Sequence, residues 1–211
     1  MKIIKSMLVG ASLALVASVS HAASSGNTLA TVDPEADRLA LQNYFQKRFP
    51  KVAVNDYVNG IYALDAPSRE QWQEIEEFPP YEFDIEEGEE LFNTAFANGK
   101  SYADCFANGG EGIRQNFPRW DEAQGQVVTL ELAINQCRES NGEKALGWKK
   151  GKIAKISAYM ASTSRDNVFD VQIPNDAAKA AYLDGKQSFY ARRGQLNMSC
   201  ANCHIAGANI L

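Results

Sequence analysis

Apolar residues along this chain recur mostly at three- and four-residue intervals, the period of a helix with one face turned inward. Asp33-Pro34-Glu35-Ala36-Asp37 can cap and open a helix. Leu39, Tyr44, Phe45 and Phe49 follow at broadly helical spacing, and Pro50 closes the segment. A short helix is predicted near 69–75, ahead of Pro79-Pro80. Another is predicted over 86–97, with Leu91, Phe92, Ala95 and Phe96 on one face. Three more are predicted over 129–138, 148–162 and 177–189. Val52-Ala53-Val54 with Tyr57-Val58 fits a short strand or a loop. Strand patterns are otherwise scarce, so the fold class is mostly α.

The first residues follow a different pattern. Met1-Lys2-Ile3-Ile4-Lys5 is a short basic start, residues 7–19 form an apolar run, and Ser20-His21-Ala22 offers small residues where a signal peptidase reads. Residues 1–22 therefore read as a signal peptide, which places the remaining residues in the periplasm. The apolar run is shorter than the roughly 20 residues of a membrane span, and no later run is longer, so no span is expected once the signal is removed. The stretch 23–31 is small and polar, as a loose start would be.

Composition narrows the class further. The 211 residues are 45% hydrophobic and 22% charged, which suits a packed core and argues against wholesale disorder. The net charge of −5 gives no reason to expect nucleic acid, and loss of Lys2 and Lys5 with the signal makes the protein more acidic still.

Export changes how the cysteines and histidines count. His21 leaves with the signal, so His204 stands alone in the exported protein. Cys200-Ala201-Asn202-Cys203-His204 is the C-x-x-C-H pattern of covalent haem attachment, in which two thiols add across the haem vinyls and the adjacent imidazole binds the iron. Zinc would need a second pair of ligands, and none exists. A thioredoxin-like pair would need a strand before it, and the preceding stretch reads as helix. One covalent haem c is expected, at Cys200, Cys203 and His204, with His204 on the metal. Cys105 and Cys137 remain as an even pair in an oxidising compartment. A disulfide is the natural assignment, with two buried free thiols as the rival.

The sequence also resembles itself. Ser101-Tyr102-Ala103-Asp104-Cys105-Phe106 aligns with Ser199-Cys200-Ala201-Asn202-Cys203-His204. Ser, Ala and the second Cys coincide, Tyr102 stands in place of the first haem thiol, and Phe106 in place of the imidazole. A predicted helix precedes each, with Gly88 and Phe92 in one and Gly185 and Phe189 in the other. The expected organisation is two tandem cytochrome-c-like units: 23–170 without haem, and 171–211 starting a haem-binding unit. Two further helices follow Cys105 in the first unit, whereas only Ile205 to Leu211 follow the motif in the second. The second unit is therefore expected to be incomplete and the protein truncated at its carboxyl end. Met160, on a predicted helix with Ile153, Ile156 and Tyr159, reads as core rather than as a distal iron ligand. Met198 lies on the attachment side of the ring. Arg192-Arg193 reads equally as a solvated helix end or as a cationic lining for an anionic substrate.

Three stretches carry a family resemblance. They are Phe117-Pro118-Arg119-Trp120-Asp121 running into Val127-Val128-Thr129-Leu130-Glu131, then Ala133-Ile134-Asn135-Gln136-Cys137-Arg138-Glu139, and Tyr190-Ala191-Arg192-Arg193-Gly194-Gln195-Leu196-Asn197 leading into the haem motif. With them the sequence resembles the SoxA family, cytochrome subunits of sulfur oxidation, in its single-haem branch. There a disulfide in the N-terminal domain takes the place of a second haem. The resemblance implies an L-cysteine S-thiosulfotransferase: oxidative conjugation of thiosulfate to a cysteine of the carrier SoxYZ, in a heterodimer with SoxX, with electrons leaving through haem. Family members place a cysteine on the far side of the haem, well downstream and near an arginine. No Cys or Arg follows Cys203 here, so no catalytic residue is assigned among the 211 residues, and they are expected to be inactive alone. A general periplasmic electron-transfer cytochrome c is the other class the motif supports. A distal thiolate separates the two, since transfer cytochromes more often use Met or His.

Overall fold

A computed structural model describes residues 32–207. The expected signal segment 1–22 and the polar stretch 23–31 lie outside the described residues.

Helix α1 (Pro34–Arg48) starts where the sequence places it. The Asp33 carboxylate accepts from the Ala36 N–H at 3.0 Å, Pro34 opens the first turn, and Lys47 and Arg48 sit at the C-terminal end where cations are favoured. The ambiguous segment after it is neither strand nor plain loop: Val54–Ala63 is a 3-10 segment kinked at Gly60. Helix α2 (Ala66–Glu76) and helix α3 (Glu82–Asn93) follow. Helix α3 begins and ends four residues earlier than its pattern predicts, because its acidic first turn is a favourable start that hydrophobic spacing does not register.

The one sheet among the described residues is a hairpin of β1 (Arg119–Asp121) and β2 (Gln126–Val128), paired Arg119 to Val128 and Asp121 to Gln126. Its three-residue strands are too short to display an alternating pattern. The Asp121 carboxylate accepts from the Gln124 N–H at 3.0 Å and Gly125 takes φ +61°, which together close the turn. Helix α4 (Leu130–Ser140) is capped by Thr129, helix α5 (Lys152–Ser162) begins after Gly151, and helix α6 (Asp176–Tyr190) is capped by Asn175. The expected start of α5 at 148 moves to Lys152 because Gly151, at φ +74°, breaks the helical path before it.

One core organises α3, α4, α5 and the hairpin. It holds Phe92, Phe96, Tyr102, Ile113, Phe117, Val128, Leu130, Ile134, Cys137, Ile153, Ile156 and Met160. Tyr102 is its centre, 1% exposed. Phe92 stacks on it at 5.6 Å between ring centroids, and Phe96 meets it edge-on at 4.9 Å. Its hydroxyl accepts from the Arg138 guanidinium at 3.0 Å, so the one polar atom of the ring is satisfied. Buried Asn135 accepts from the Leu146 N–H and donates to the Leu146 carbonyl, which ties the α4–α5 connection to the core. Met160 is fully buried in this core, as its helical spacing implies.

Helices α3 and α5 cross at Gly88. A Cβ built there would lie 2.1 Å from the Lys155 carbonyl oxygen, so only a glycine admits the two backbones at this distance. Gly185 stands at the matching place of α6, and a Cβ there would meet nothing within 4 Å among the described residues.

The two glycines should answer oppositely to one substitution. Gly88→Ala should push α3 off α5 and destabilise the fold by about 1–3 kcal/mol, the usual range for overpacking. Gly185→Ala should stabilise by about 0.5–1 kcal/mol, because an exposed helix interior prefers Ala. Urea unfolding of both variants beside the parent checks the signs.

Candidate functional site

The turn that carries the haem motif is built by its own polar side chains. The Asn202 carboxamide oxygen accepts from the Ser199 N–H at 2.8 Å and from the Ser199 hydroxyl at 3.0 Å. The same device closes the turn at 101–104: the Asp104 carboxylate accepts from the Ser101 N–H at 2.7 Å and the Ser101 hydroxyl at 3.2 Å. The two Ser101 bonds hold the Asp104 carboxyl below the usual carboxylate range. The internal sequence match is thus matched by the local hydrogen bonding of both turns.

Beyond that shared frame the two turns differ. In the second, Cys200 is exposed, Cys203 half-buried, and both thiols are free. His204 is exposed directly after them, its ring 6.3 Å from that of Phe189 on α6. The backbone runs on through a π-helical turn, Asn202–Ala206, to Gly207, whose N–H donates to the Asn202 carbonyl at 2.9 Å. Two unbonded thiols on one turn and an accessible imidazole beside them form a donor set that fits a covalently held haem. Cys200, Cys203 and His204 would hold it.

At the first turn Tyr102 is buried in the core and Cys105 is bonded to Cys137, with 5.8 Å between their Cα atoms. The Asn141 amide donates to the Cys137 carbonyl at 2.8 Å and reaches the Cys105 sulfur at 3.5 Å. A cleft of about 910 Å³ lies beside the disulfide, lined by Lys100, Phe106, Phe117 and Arg119 among others. Among the described residues no free thiol and no imidazole lines it.

The arginine pair divides between structure and solvent. The Arg193 guanidinium donates to the Ser188 carbonyl at 2.6 Å, closing the C-terminal end of α6, and its N–H donates to the Met198 carbonyl at 3.0 Å. Gly194 and Asn197, both at positive φ, turn the backbone between them. Arg192 is exposed.

Sequence reasoning missed what α1 does. By sequence α1 falls within 23–170, yet its hydrogen bonds run to α6 and to the haem-motif turn. The Asp37 carboxylate accepts from the Lys186 ammonium at 2.6 Å and from the Tyr182 hydroxyl at 2.8 Å. Eleven residues on, Arg48 donates to the Ile205 carbonyl at 2.7 Å and the Ala206 carbonyl at 2.9 Å. Lys186 and Tyr182 lie four apart on one face of α6, the only trace of this contact in the sequence. The Lys186 and Tyr182 bonds hold the Asp37 carboxyl below its ordinary value. Burial, and then the bond to Asp37, push the Tyr182 hydroxyl up to about 12.

A family model for the SoxA/TsdA cytochrome c domain matches residues 87–169, the stretch containing α4, α5 and most of α3. SoxA of Chlorobaculum tepidum, an L-cysteine S-thiosulfotransferase subunit, is 56% identical over 171 residues, which cover 81% of this chain and 59% of that protein. SoxA of Chlorobaculum thiosulfatiphilum is 52% identical over 95% of this chain and 70% of its own length. SoxA of Allochromatium vinosum is 52% identical over 82% and 62% respectively. The sequence therefore spans roughly three-fifths to seven-tenths of the length of these relatives. The crystal structure of SoxXA from P. pantotrophus superposes with a TM-score of 0.53 at 32% identity, covering 60% of this chain and 49% of that one.

Replacing Cys105 or Cys137 by Ser opens a loop of 32 positions and should lower stability by about 3–4 kcal/mol while leaving Cys200 and Cys203 able to take haem. Denaturant unfolding alongside a haem stain reads both. The α1–α6 contact should also be bounded in pH at both ends. Asp37 titrates lower folded than unfolded, so its share is present above about 3.8 and lost as pH falls through the folded value. Tyr182 titrates higher folded than unfolded, so its share is present below about 10 and lost as pH rises toward about 12. Ultraviolet titration should show a tyrosine ionising near 12 that is missing in Tyr182→Phe and shifted partway toward 10 in Asp37→Ala.

Proposed function

The chain belongs to the SoxA family, and from that premise we propose that it is the haem-attaching portion of a periplasmic thiosulfotransferase subunit. The observation that carries the reading is the contrast between the two matching turns. One presents two free thiols and an exposed imidazole, while the other has its remaining cysteine in a disulfide and a tyrosine buried in place of the second thiol.

Bound there, haem c supplies a redox centre that accepts electrons as two sulfur species are joined. The protein's own residues do the holding. Cys200 and Cys203 would anchor the ring and His204 would ligate the iron, while Ser199 with Asn202 keeps the turn in register. Phe189 packs beside the imidazole. Haem count is one, because Cys105 is committed to Cys137 and Phe106 offers no ligand. SoxX is the partner, SoxYZ the carrier and thiosulfate the substrate, by relation to the proteins this one resembles. No helix among the described residues is long and apolar enough to cross a membrane.

All four cysteines of the sequence have work in this reading: two hold haem and two hold each other. None is left to offer a reactive sulfur to thiosulfate, and Met160, the one buried thioether among the described residues, is core.

Export of the protein with haem-maturation machinery should yield a mass increment of one haem, lost in Cys200→Ser with Cys203→Ser and kept in Cys105→Ser. Two haems would overturn the reading, as would none. Residues 1–211 by themselves, loaded with haem and mixed with SoxX, the SoxYZ carrier, thiosulfate and an electron acceptor, should leave the carrier mass unchanged. Robust conjugation would show that a reactive sulfur has been misassigned.

A further inference from the structure

Helix α1 fully buries no residue. Its Leu39, Leu41 and Tyr44 are each 40% or more exposed, while Phe45 is half-buried and stacks on Phe49. Polar contacts tie it to other parts of the fold at two points. Asp37 near its start engages Lys186 and Tyr182 on α6. Arg48 at its end engages the two carbonyls that directly follow His204. A helix rises about 1.5 Å per residue, so the two points are about 16 Å apart. Across that distance α1 braces α6 against the haem-motif turn.

The chemistry at the Arg48 end is specific. The turn Asn202–Ala206 is short, and the last carbonyls of any helical turn have no partner within it. A guanidinium is a planar fork with parallel N–H donors, suited to two neighbouring oxygens at once. Its 2.7 Å and 2.9 Å bonds to the Ile205 and Ala206 oxygens fix the backbone one and two residues past His204. Tyr44, one turn back on α1, accepts from the same guanidinium at 3.3 Å and steadies it. The guanidinium is also a permanent positive charge beside the residue that would ligate the iron.

We propose that Arg48 is a positioning residue for His204: it caps the turn behind the imidazole, sets the ring's direction toward the iron, and raises the reduction potential of the bound haem by opposing the extra charge of the ferric state. The proposal rests on haem attachment at Cys200, Cys203 and His204. Its two parts separate by substitution. Arg48→Lys keeps the charge and loses the fork, whereas Arg48→Gln loses the charge.

The test uses residues 1–211 in two states. Without haem, hydrogen exchange at the amides of 202–207 should quicken several-fold in Arg48→Gln and less in Arg48→Lys, with α3 and α5 unchanged. With haem, the midpoint potential should fall in Arg48→Gln and stay near the parent value in Arg48→Lys. Asp37→Ala serves as the control, since it releases the far end of α1 and leaves the Arg48 fork intact. It should move the potential much less than Arg48→Gln. An unchanged potential and unchanged exchange in Arg48→Gln would overturn the proposal. So would an Asp37→Ala variant that lowers the potential equally, because α1 docking as a whole would then be responsible. If the parent protein takes no haem, the reading of the motif fails, while the exchange measurement still decides whether Arg48 holds the turn.

Discussion

The close crossing of α3 and α5 at Gly88 is the constraint on which the helical unit depends. Backbone meets backbone there, with the Lys155 carbonyl where a side chain would otherwise lie. That approach brings Phe92 down onto Tyr102, and Tyr102 in turn sets Phe96, Arg138 and the start of the disulfide-bearing turn. Lys155 reinforces the crossing from the surface through Asp84 and Glu87. Such exposed pairs contribute little each. The buried rings and the shape of the crossing contribute more.

The second turn repeats with Ser199 and Asn202 the bonding of Ser101 and Asp104 in the first but rests on different support. Helix α6 lies against β2, and the Asp37 carboxylate of α1 meets its Lys186 ammonium and Tyr182 hydroxyl. One turn is thus set in a packed core and the other in a polar frame at the surface. A site that must accept a large flat group from outside gains from such a frame, since a packed core would have to open to admit it.

The sequence made the helices legible to differing degrees, for physical reasons. Asp33-Pro34 and Asn175-Asp176 are strong starts, and α1 and α6 begin where these signals stand. Helix α3 hides its first turn in a run of acids, and α5 hides its start behind a glycine in a left-handed conformation. The hairpin escaped notice because three residues cannot show a period of two. The haem motif was plain, since its residues are adjacent in sequence. The Arg48 contact was not, because its partners are carbonyls 157 and 158 positions away and any residue supplies a carbonyl. SoxA family membership rests on whole stretches of sequence and needed no geometry.

Tyr102 gives the arrangement a direction in evolutionary time. Writing C-x-x-C-H into the turn at 102–106 takes two changes, Tyr102→Cys and Phe106→His. The first would remove a fully buried ring from between Phe92 and Phe96 and leave the Arg138 guanidinium without its oxygen. Emptying a core site of this size costs about 3–5 kcal/mol, a large part of a small domain's stability. The second cysteine of the pattern, Cys105, is already joined to Cys137 and would have to be released as well. Each step toward a haem-attachment motif at this turn is therefore unfavourable before any haem can repay it. The packing around Tyr102 opposes that motif even where a few nucleotide changes could spell it.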